Sequence, residues 1–170
     1  MTLSAAYGKI LYMTKDVRIK IVSEVFDLQR GDDTAEYEGV GCRAEGQRFE
    51  VSCRGSLEQT DGVLTLRYDE PGDSQMGKTC TTLSFPLDAP GTVTLRREGA
   101  VNSVFVYDES VGRRVYLYET PVMPLEMGIV TKRLDNRMTE SGGSIHIDYK
   151  IDICISNAER TVIDITAAEV

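Results

Sequence analysis

The sequence predicts an all-β protein, an antiparallel barrel of about eight to ten strands with little helix. Residues 91–139 are dense in valine, threonine, tyrosine and phenylalanine, and turn residues recur there at the spacing of about 8 to 12 residues that is typical of sandwiches and barrels. Every periodic segment alternates apolar and polar residues, and none repeats apolar residues at the helical spacing. Short sequential hairpins favour a barrel over a sandwich, because closure removes exposed sheet edges.

The N-terminal segment, residues 1–14, is predicted to be a flexible extension. Its short apolar stretch is interrupted by Lys9, which argues against a signal peptide or a membrane span. Met13 directly precedes the first clear strand, and we hypothesise that translation naturally begins there. Residues 15–170 are then predicted to form a single barrel domain, since this length suffices for one domain with its own core.

The first half of the domain contains one strand, one irregular stretch and one hairpin. Apolar residues alternate with charged ones over residues 17–25, which indicates a half-buried strand. Residues 30–47 are rich in glycine and acidic residues, and we interpret them as an acidic loop or insertion. The runs at 48–59 and 63–70 flank Asp61-Gly62, a pair that supplies the positive φ angles of a tight hairpin turn.

The second half is predicted to be a meander followed by two long strands. A strand is expected over residues 79–85, four or five short strands within 91–139, and a final pair at 144–155 and 160–167. In the strand at 144–155 the isoleucines share one face with Tyr149, which is predicted to face the core. The opposite face is predicted to contact solvent and carries four polar residues: His146, Asp148, Lys150 and Asp152.

Charge and cysteine content exclude several classes of function. The net charge of -8 repels phosphate backbones and anionic lipids, so neither nucleic acid nor a membrane is an expected partner. The four cysteines lie far apart without a CxxC pair, and there is one histidine, so no metal site is predicted. No cofactor is expected. A chain of this size needs no disulfides, and we expect reduced thiols and a cytoplasmic location.

Residues 72–79, GDSQMGKT, match the phosphate-binding pattern GxxxxGK[ST]. That loop binds phosphate when a strand precedes it and a helix follows it, because the helix N-terminus contributes to anion affinity. Here Thr79 opens a β-type run. We therefore interpret the stretch as a hairpin loop and not as a nucleotide site.

The sequence indicates no catalytic residue. His146 lies on a solvent-facing strand face without an evident partner, and no GxSxG motif singles out Ser103 or Ser144 as a nucleophile. The acidic residues alternate along strands and form no distinct acid-base pair. Whether the protein is an enzyme stays open, and the preferred interpretation is that it is not.

Arg97 follows Val93 and Leu95 on the same side of a predicted strand, so its side chain is expected to point inward. An inward arginine can bind an anionic ligand, or it can close one end of a barrel by pairing with a carboxylate, and we favour the pairing. Tyr116 and Tyr118 share a face, and they either line a polar cavity or cover the outer sheet.

Three stretches of the meander, residues 97–103, 118–121 and 127–132, resemble the YwiB-like family. This is a bacterial family of unknown function with a calycin-like, lipocalin-type β-barrel. The resemblance covers roughly residues 17–168 and is strongest over 79–155, which includes the GAVNS turn and the ESGGSIHIDYKI run. It implies the fold, places GKT in a hairpin and carries over no catalytic residue. The acidic stretch and the N-terminal extension depart from the family, and the tryptophan of true lipocalins is absent.

Three functional hypotheses follow. The preferred one is an intracellular barrel that binds a small ligand in its interior, since barrels of this strand number enclose ligands when inward side chains do not fill them. The alternative is a protein-interaction module that uses the outer barrel surface, and the third is an uncharacterised enzyme. A monomer or a homodimer is expected. The candidate ligand-binding residues, which lie where meander strands meet turns, are Arg97, Asn102, Tyr118, Met127 and Thr131.

Overall fold

Ten β-strands form a single antiparallel sheet that curls into a nearly closed barrel. The structure is a computed structural model that describes residues 13–28, 46–70, 77–153 and 157–170. The strands are β1 (Met13–Leu28), β2 (Gln47–Thr60), β3 (Val63–Asp69), β4 (Thr79–Pro86), β5 (Thr92–Gly99), β6 (Ser103–Asp108), β7 (Arg114–Glu119), β8 (Pro124–Asn136), β9 (Gly142–Ile153) and β10 (Asn157–Glu169). The predicted all-β class and strand number are confirmed. Within the described ranges there is no helix that could span a membrane.

The sheet runs in the order β6-β5-β4-β3-β2-β1-β10-β9-β8-β7. Among the described strands, consecutive strands pair with each other except β6 and β7, and β1 pairs with β10 as well as with β2. That single long-range pairing brings the two ends of the domain together and leaves β6 and β7 as the outermost strands. Asn102, just before β6, and Glu119, at the end of β7, form an isolated bridge. The barrel therefore closes between β6 and β7.

The β2–β3 hairpin shows how local sequence sets the register. Asp61 has φ of 50° and Gly62 has φ of 76°, the left-handed conformations that a two-residue hairpin turn requires. Thr60 and Val63 are therefore paired directly across the turn. The predicted hairpin is confirmed, and its pairing continues through β4 and β5 by the same alternation of inward and outward residues.

The core consists of the inward-facing residues of all ten strands. Along β4 the burial alternates strictly, and Leu83 and Phe85 are fully covered while their neighbours are half-buried. Large side chains such as Phe85 and Tyr107 occupy the interior together with the isoleucines of β9. The described interior is thus mostly filled by the chain's own side chains.

One residue differs from the predicted solvent-facing pattern. Asp148 of β9 lies on the outer face as expected, yet only 7% of it is exposed. Arg160 of β10 donates two hydrogen bonds to its carboxylate, at 3.0 and 2.8 Å, and covers it. A guanidinium on the neighbouring strand thus buries an acid that alternation alone assigns to solvent.

The described residues test some of the remaining sequence-based predictions and leave others untested. β4 begins at Thr79, so a strand and not a helix follows Lys78, as expected for a hairpin loop. Cys53 and Cys80 are free thiols. Cys42, Cys154, residues 1–12 of the N-terminal extension and most of the acidic stretch at 30–47 lie outside the described residues, whereas Met13 and Thr14 already belong to β1.

Candidate functional site

The site with the most distinctive geometry is the seam, the line along which β6 and β7 face each other. At one end the backbone N–H of Asn102 donates to the carbonyl of Glu119, and the N–H of Glu119 donates back, both at 2.9 Å. The side chain of Asn102 also bonds the N–H and C=O of Gly99, both at 3.2 Å, and fixes the turn that leads into β6. Asn102 therefore anchors one end of the seam.

Farther along the seam, side-chain hydroxyls take the place of the backbone ladder. The Tyr116 hydroxyl accepts a hydrogen bond from the N–H of Val106 at 3.1 Å and donates to its carbonyl at 2.9 Å. The hydroxyl of Thr131, on β8, accepts from the N–H of Asp108 at 3.1 Å. Because Tyr116 reaches β6 with its side chain instead of its backbone, the two strands are not joined as an ordinary pair there.

Between the anchored end and Tyr116 lies an unpaired stretch. Backbone groups of alternate residues point to the same side of a strand, so those of Val104 and Leu117 point into the seam like those of Asn102 and Glu119. Among the described residues no bridge joins Val104 to Leu117. A depression of about 510 Å³ lies over this stretch. It is lined by residues that include Arg96, Arg97, Ser103, Val104, Leu117 and Glu119.

An ion pair lies on the inner side of this depression. Arg97 donates to both carboxylate oxygens of Glu70, at 2.6 and 2.5 Å, and to the Tyr118 hydroxyl at 2.8 Å. Thr81 donates to Glu70 at 2.6 Å. Burial alone raises the pKa of Glu70, but the bonds from Arg97 and Thr81 outweigh burial and hold that pKa below its usual range. Arg97 and Glu70 are therefore both charged at neutral pH.

Ser103 lies beside Arg97, its register partner on β5, and also lines the depression. Ser103 is only 6% exposed, and its hydroxyl has no hydrogen-bond partner among the described residues. A buried hydroxyl without a partner costs about 1–3 kcal/mol relative to a satisfied one. No sequence pattern predicts that this hydroxyl lacks a partner, because that depends on which side chains surround it in the folded barrel.

The outer surface of the seam is apolar. Val104 on β6 and Val115 and Leu117 on β7 are all exposed, as are Val122 and Met123 in the adjoining β7–β8 hairpin. A second depression of about 490 Å³ adjoins the first at Asn102 and Glu119. Its lining includes Ala100, Pro121 and Pro124. The two depressions together form the seam groove.

The predicted site residues are only partly brought together. Arg97, Tyr118 and Asn102 all belong to the seam, and Arg97 pairs with a carboxylate as we favoured. Tyr118 and Tyr116 are half-buried on the inner face and pack against the core, so they do not cover the outer sheet, while a polar cavity lined by them stays a prediction. Met127 is a buried core residue, and Thr131 lies at the far end of the seam. Sequence reasoning did not place Glu70 or Ser103 at this site: Glu70 lies in no motif, and Ser103 was considered only as a nucleophile, for which no motif was found.

His146 has a partner that the sequence did not reveal. Its Nδ1 lies 2.7 Å from Oδ1 of Asp164 on β10, across the β9–β10 pair. The two residues line an open depression of about 330 Å³ on the outer wall, together with Arg133 and Ser144. Among the described residues, no group of three or more His, Cys, Asp or Glu side chains could hold a metal ion. This pair orients the imidazole at a solvent-facing surface.

Comparisons with known proteins support the fold. Residues 40–165 match the family described as Domain of unknown function (DUF1934). The chain is similar in structure to the ywiB protein from Bacillus subtilis, with a TM-score of 0.67 and 18% identity over 91% of this chain and 93% of that one. Likeness at this identity shows a shared fold. None of the curated proteins compared with the chain matches it. The predicted YwiB-like resemblance is confirmed.

Proposed function

The chain belongs to the DUF1934 family, whose function is unknown, and from the seam geometry we propose that it is an interaction module that binds an extended segment of another protein in the seam groove. The observation that carries this proposal is the concentration of exposed apolar residues at the seam. Eight large apolar side chains are exposed among the described residues, and five of them lie on β6, β7 or the adjoining hairpin. Such clustering marks interaction surfaces, whereas single exposed apolar residues need no explanation.

The backbone at the seam favours an extended partner. Val104 and Leu117 have backbone groups without bridge partners among the described residues, and exposed strand backbone is a template for pairing with another chain. Peptides that add to a sheet edge gain affinity from main-chain hydrogen bonds and specificity from pockets for alternate side chains. The seam offers both kinds of contact, because apolar surface flanks the unpaired backbone.

The interior supports a ligand less well than the seam does. A barrel binds a small molecule inside when its inward side chains leave space. In the described part of this barrel, Phe85, Tyr107 and the leucines and isoleucines of the inward faces are almost completely covered. Arg97, the polar group best placed to bind an interior ligand, already pairs with Glu70. An outer-surface function is therefore the better supported of our hypotheses.

The test uses a random heptapeptide library displayed on phage, followed by titration of the selected synthetic peptides into isotopically labelled protein. We expect shifts at Val104 and Leu117 and a loss of affinity of at least about tenfold in Leu117→Asp. Leu87→Asp is the matched control, because Leu87 is 49% exposed and Leu117 57%, and Leu87 lies in the β4–β5 turn. Selected peptides that bind both variants equally, or a library that yields no binder, would refute the proposal.

A further inference from the structure

We propose that the opening between Val104 and Leu117 is a pocket for the amide side chain of a glutamine or asparagine in the bound segment, held by Arg97 and Ser103. This inference rests on the proposed function and specifies what the seam groove recognises. Arg97 and Ser103 both line the depression, although their side chains belong to the inner face of the barrel. The depression therefore brings residues of the outer apolar surface together with two polar residues of the inner face.

The donors in the pocket are not fully used. The bonds from Arg97 to Glu70 and Tyr118 occupy one hydrogen on each of its three nitrogens. A guanidinium carries five N–H donors, which leaves one on each terminal nitrogen without a described partner. Ser103 adds a buried hydroxyl with no partner in the described part of the chain. An acceptor that enters between the strands would satisfy groups that are now left without one.

The charge balance selects a neutral acceptor. Glu70 is ionised and neutralises Arg97, since the bonds from Arg97 lower the pKa of Glu70 despite its burial. At the mouth, the two carboxylates of Glu98 and Glu119 outnumber the one guanidinium of Arg96, which lies 3.3 Å from Glu98. A carboxylate or phosphate would meet two acidic side chains before it reached a guanidinium that is already paired. An uncharged carbonyl avoids this repulsion and still accepts hydrogen bonds.

An amide suits the pocket better than a lone carbonyl because it also donates. The backbone carbonyls of Val104 and Leu117, which have no bridge partner across the seam among the described residues, can accept from its NH₂ group, while its oxygen accepts from Arg97 and Ser103. The exposed side chains of Val104 and Leu117 flank the opening and would shield these bonds from water once a segment is bound. A side chain with both functions at its end is that of glutamine or asparagine.

Three blocked tripeptides test the inference: acetyl-Leu-Gln-Leu-amide, its Glu counterpart and its Met counterpart. Each is titrated into labelled protein, with the backbone amides of Ser103 and Val104 and the Arg97 side chain observed by NMR. We expect the Gln peptide to bind about three- to tenfold more tightly than the other two. Equal seam shifts from all three would overturn the amide pocket but keep the peptide groove. No seam shift from any of them would count against both.

Ser103→Ala provides a second test, which distinguishes a role of Ser103 in peptide binding from a role in stability. The substitution removes an orphan buried hydroxyl, so we expect the melting temperature to stay level or rise. The Gln peptide should nevertheless lose its advantage over the Met peptide. Ser141→Ala, in the β8–β9 turn, is the control and should keep that advantage. A lower melting temperature in Ser103→Ala, or an unchanged preference for Gln, would overturn the role of Ser103.

Discussion

The pair of Arg97 and Glu70 joins β5 to the end of β3 at one end of the barrel. Two parallel N–H···O bonds to one carboxylate give the pair both strength and fixed geometry. Tyr118 lies under the guanidinium, 5.8 Å from it to the ring centroid, and its hydroxyl accepts the third bond. The side chains of Arg97 and Glu70 keep 24% and 30% of their exposure, so each retains some hydration. The pair thus links β5 to the residue that follows β3 without fully burying a charge.

The pH dependence of stability should reveal this pair. Glu70→Gln keeps the shape and removes the charge, and we expect it to lower the free energy of unfolding by about 1–3 kcal/mol at pH 7. The folded-state pKa of Glu70 lies below its ordinary value. Its contribution is therefore complete above the ordinary pKa of about 4.3 and is lost as the pH falls through the folded-state pKa. Urea unfolding followed by circular dichroism, from pH 7 to pH 2.5, measures the difference from the natural protein.

Glu98→Gln is the control, because Glu98 and Arg96 form an exposed surface pair, which should contribute little at any pH. The difference between the natural protein and Glu70→Gln should shrink below about pH 4. A difference that stays constant down to pH 2.5 would contradict an ionised, bonded Glu70.

For single residues, the sequence predicted which side of the sheet a side chain faces better than it predicted which residue that side chain contacts. Alternation along β5 predicted that Arg97 points inward, and the pairing with a carboxylate was the favoured alternative. The identity of that carboxylate could not be predicted, because Glu70 reaches Arg97 only through the register of β3, β4 and β5. The same limit applies to Asp164, which lies beside His146 only after β9 and β10 pair.

The strands β6 and β7 have six residues each, and their shortness shapes the seam. One backbone bridge at Asn102 and Glu119 joins them, and hydroxyls from Tyr116 and Thr131 bond the β6 backbone farther along. Exposed strand edges promote unwanted pairing unless they are short, charged or covered. Here side chains cover part of the β6 edge and leave the part beside Val104 open. The seam is thus closed enough to hold the barrel and open enough to take a partner.

Two conservative substitutions should separate these hydroxyl contacts. Tyr116→Phe removes the group that bonds the N–H and C=O of Val106, so the Val106 amide should exchange with solvent faster, by about tenfold. Thr131→Val should accelerate the amide of Asp108 instead, since that amide donates to the Thr131 hydroxyl. Hydrogen exchange followed by NMR measures both amides in both variants. Each variant is the control for the other, and acceleration of both amides to the same extent in either variant would contradict separate local contacts.

At the scale of strands, local patterns predicted most elements. Asp61-Gly62 predicted the β2–β3 turn, and the period-two pattern predicted each strand of the meander. The open stretch at Val104 was not predictable, since Val104 lies in a β-type run that resembles its neighbours. Beneath the seam, Phe105 of β6 and Tyr116 of β7 pack edge to face, with ring centroids 5.3 Å apart. This contact forms only when β6 and β7, the two edge strands of the sheet, come together as the barrel closes.

The whole barrel depends on one pairing of high sequence separation. Val17 of β1 lies opposite Glu169 of β10, while the other strand pairs join consecutive strands. Pairing of consecutive strands closes only the loop between them, whereas pairing of β1 with β10 closes a loop that contains all the other strands. The entropy cost of closure grows with loop length, so the contacts of β10 with β1 are the most costly to form early. This topology makes a prediction about the order of folding events.

Leu64→Ala and Ile165→Ala test that order, because both side chains are buried, at 1% and 2% exposure, and both substitutions should cost about 2–5 kcal/mol. Leu64 lies in the local β2–β3 hairpin, so its loss should mainly slow folding. Ile165 lies opposite Ile21 in the β1–β10 pair, so its loss should mainly speed unfolding. Stopped-flow refolding and unfolding in urea give both rates for each variant. A larger effect of Ile165→Ala than of Leu64→Ala on the folding rate would show instead that the β1–β10 pairing forms before the hairpins.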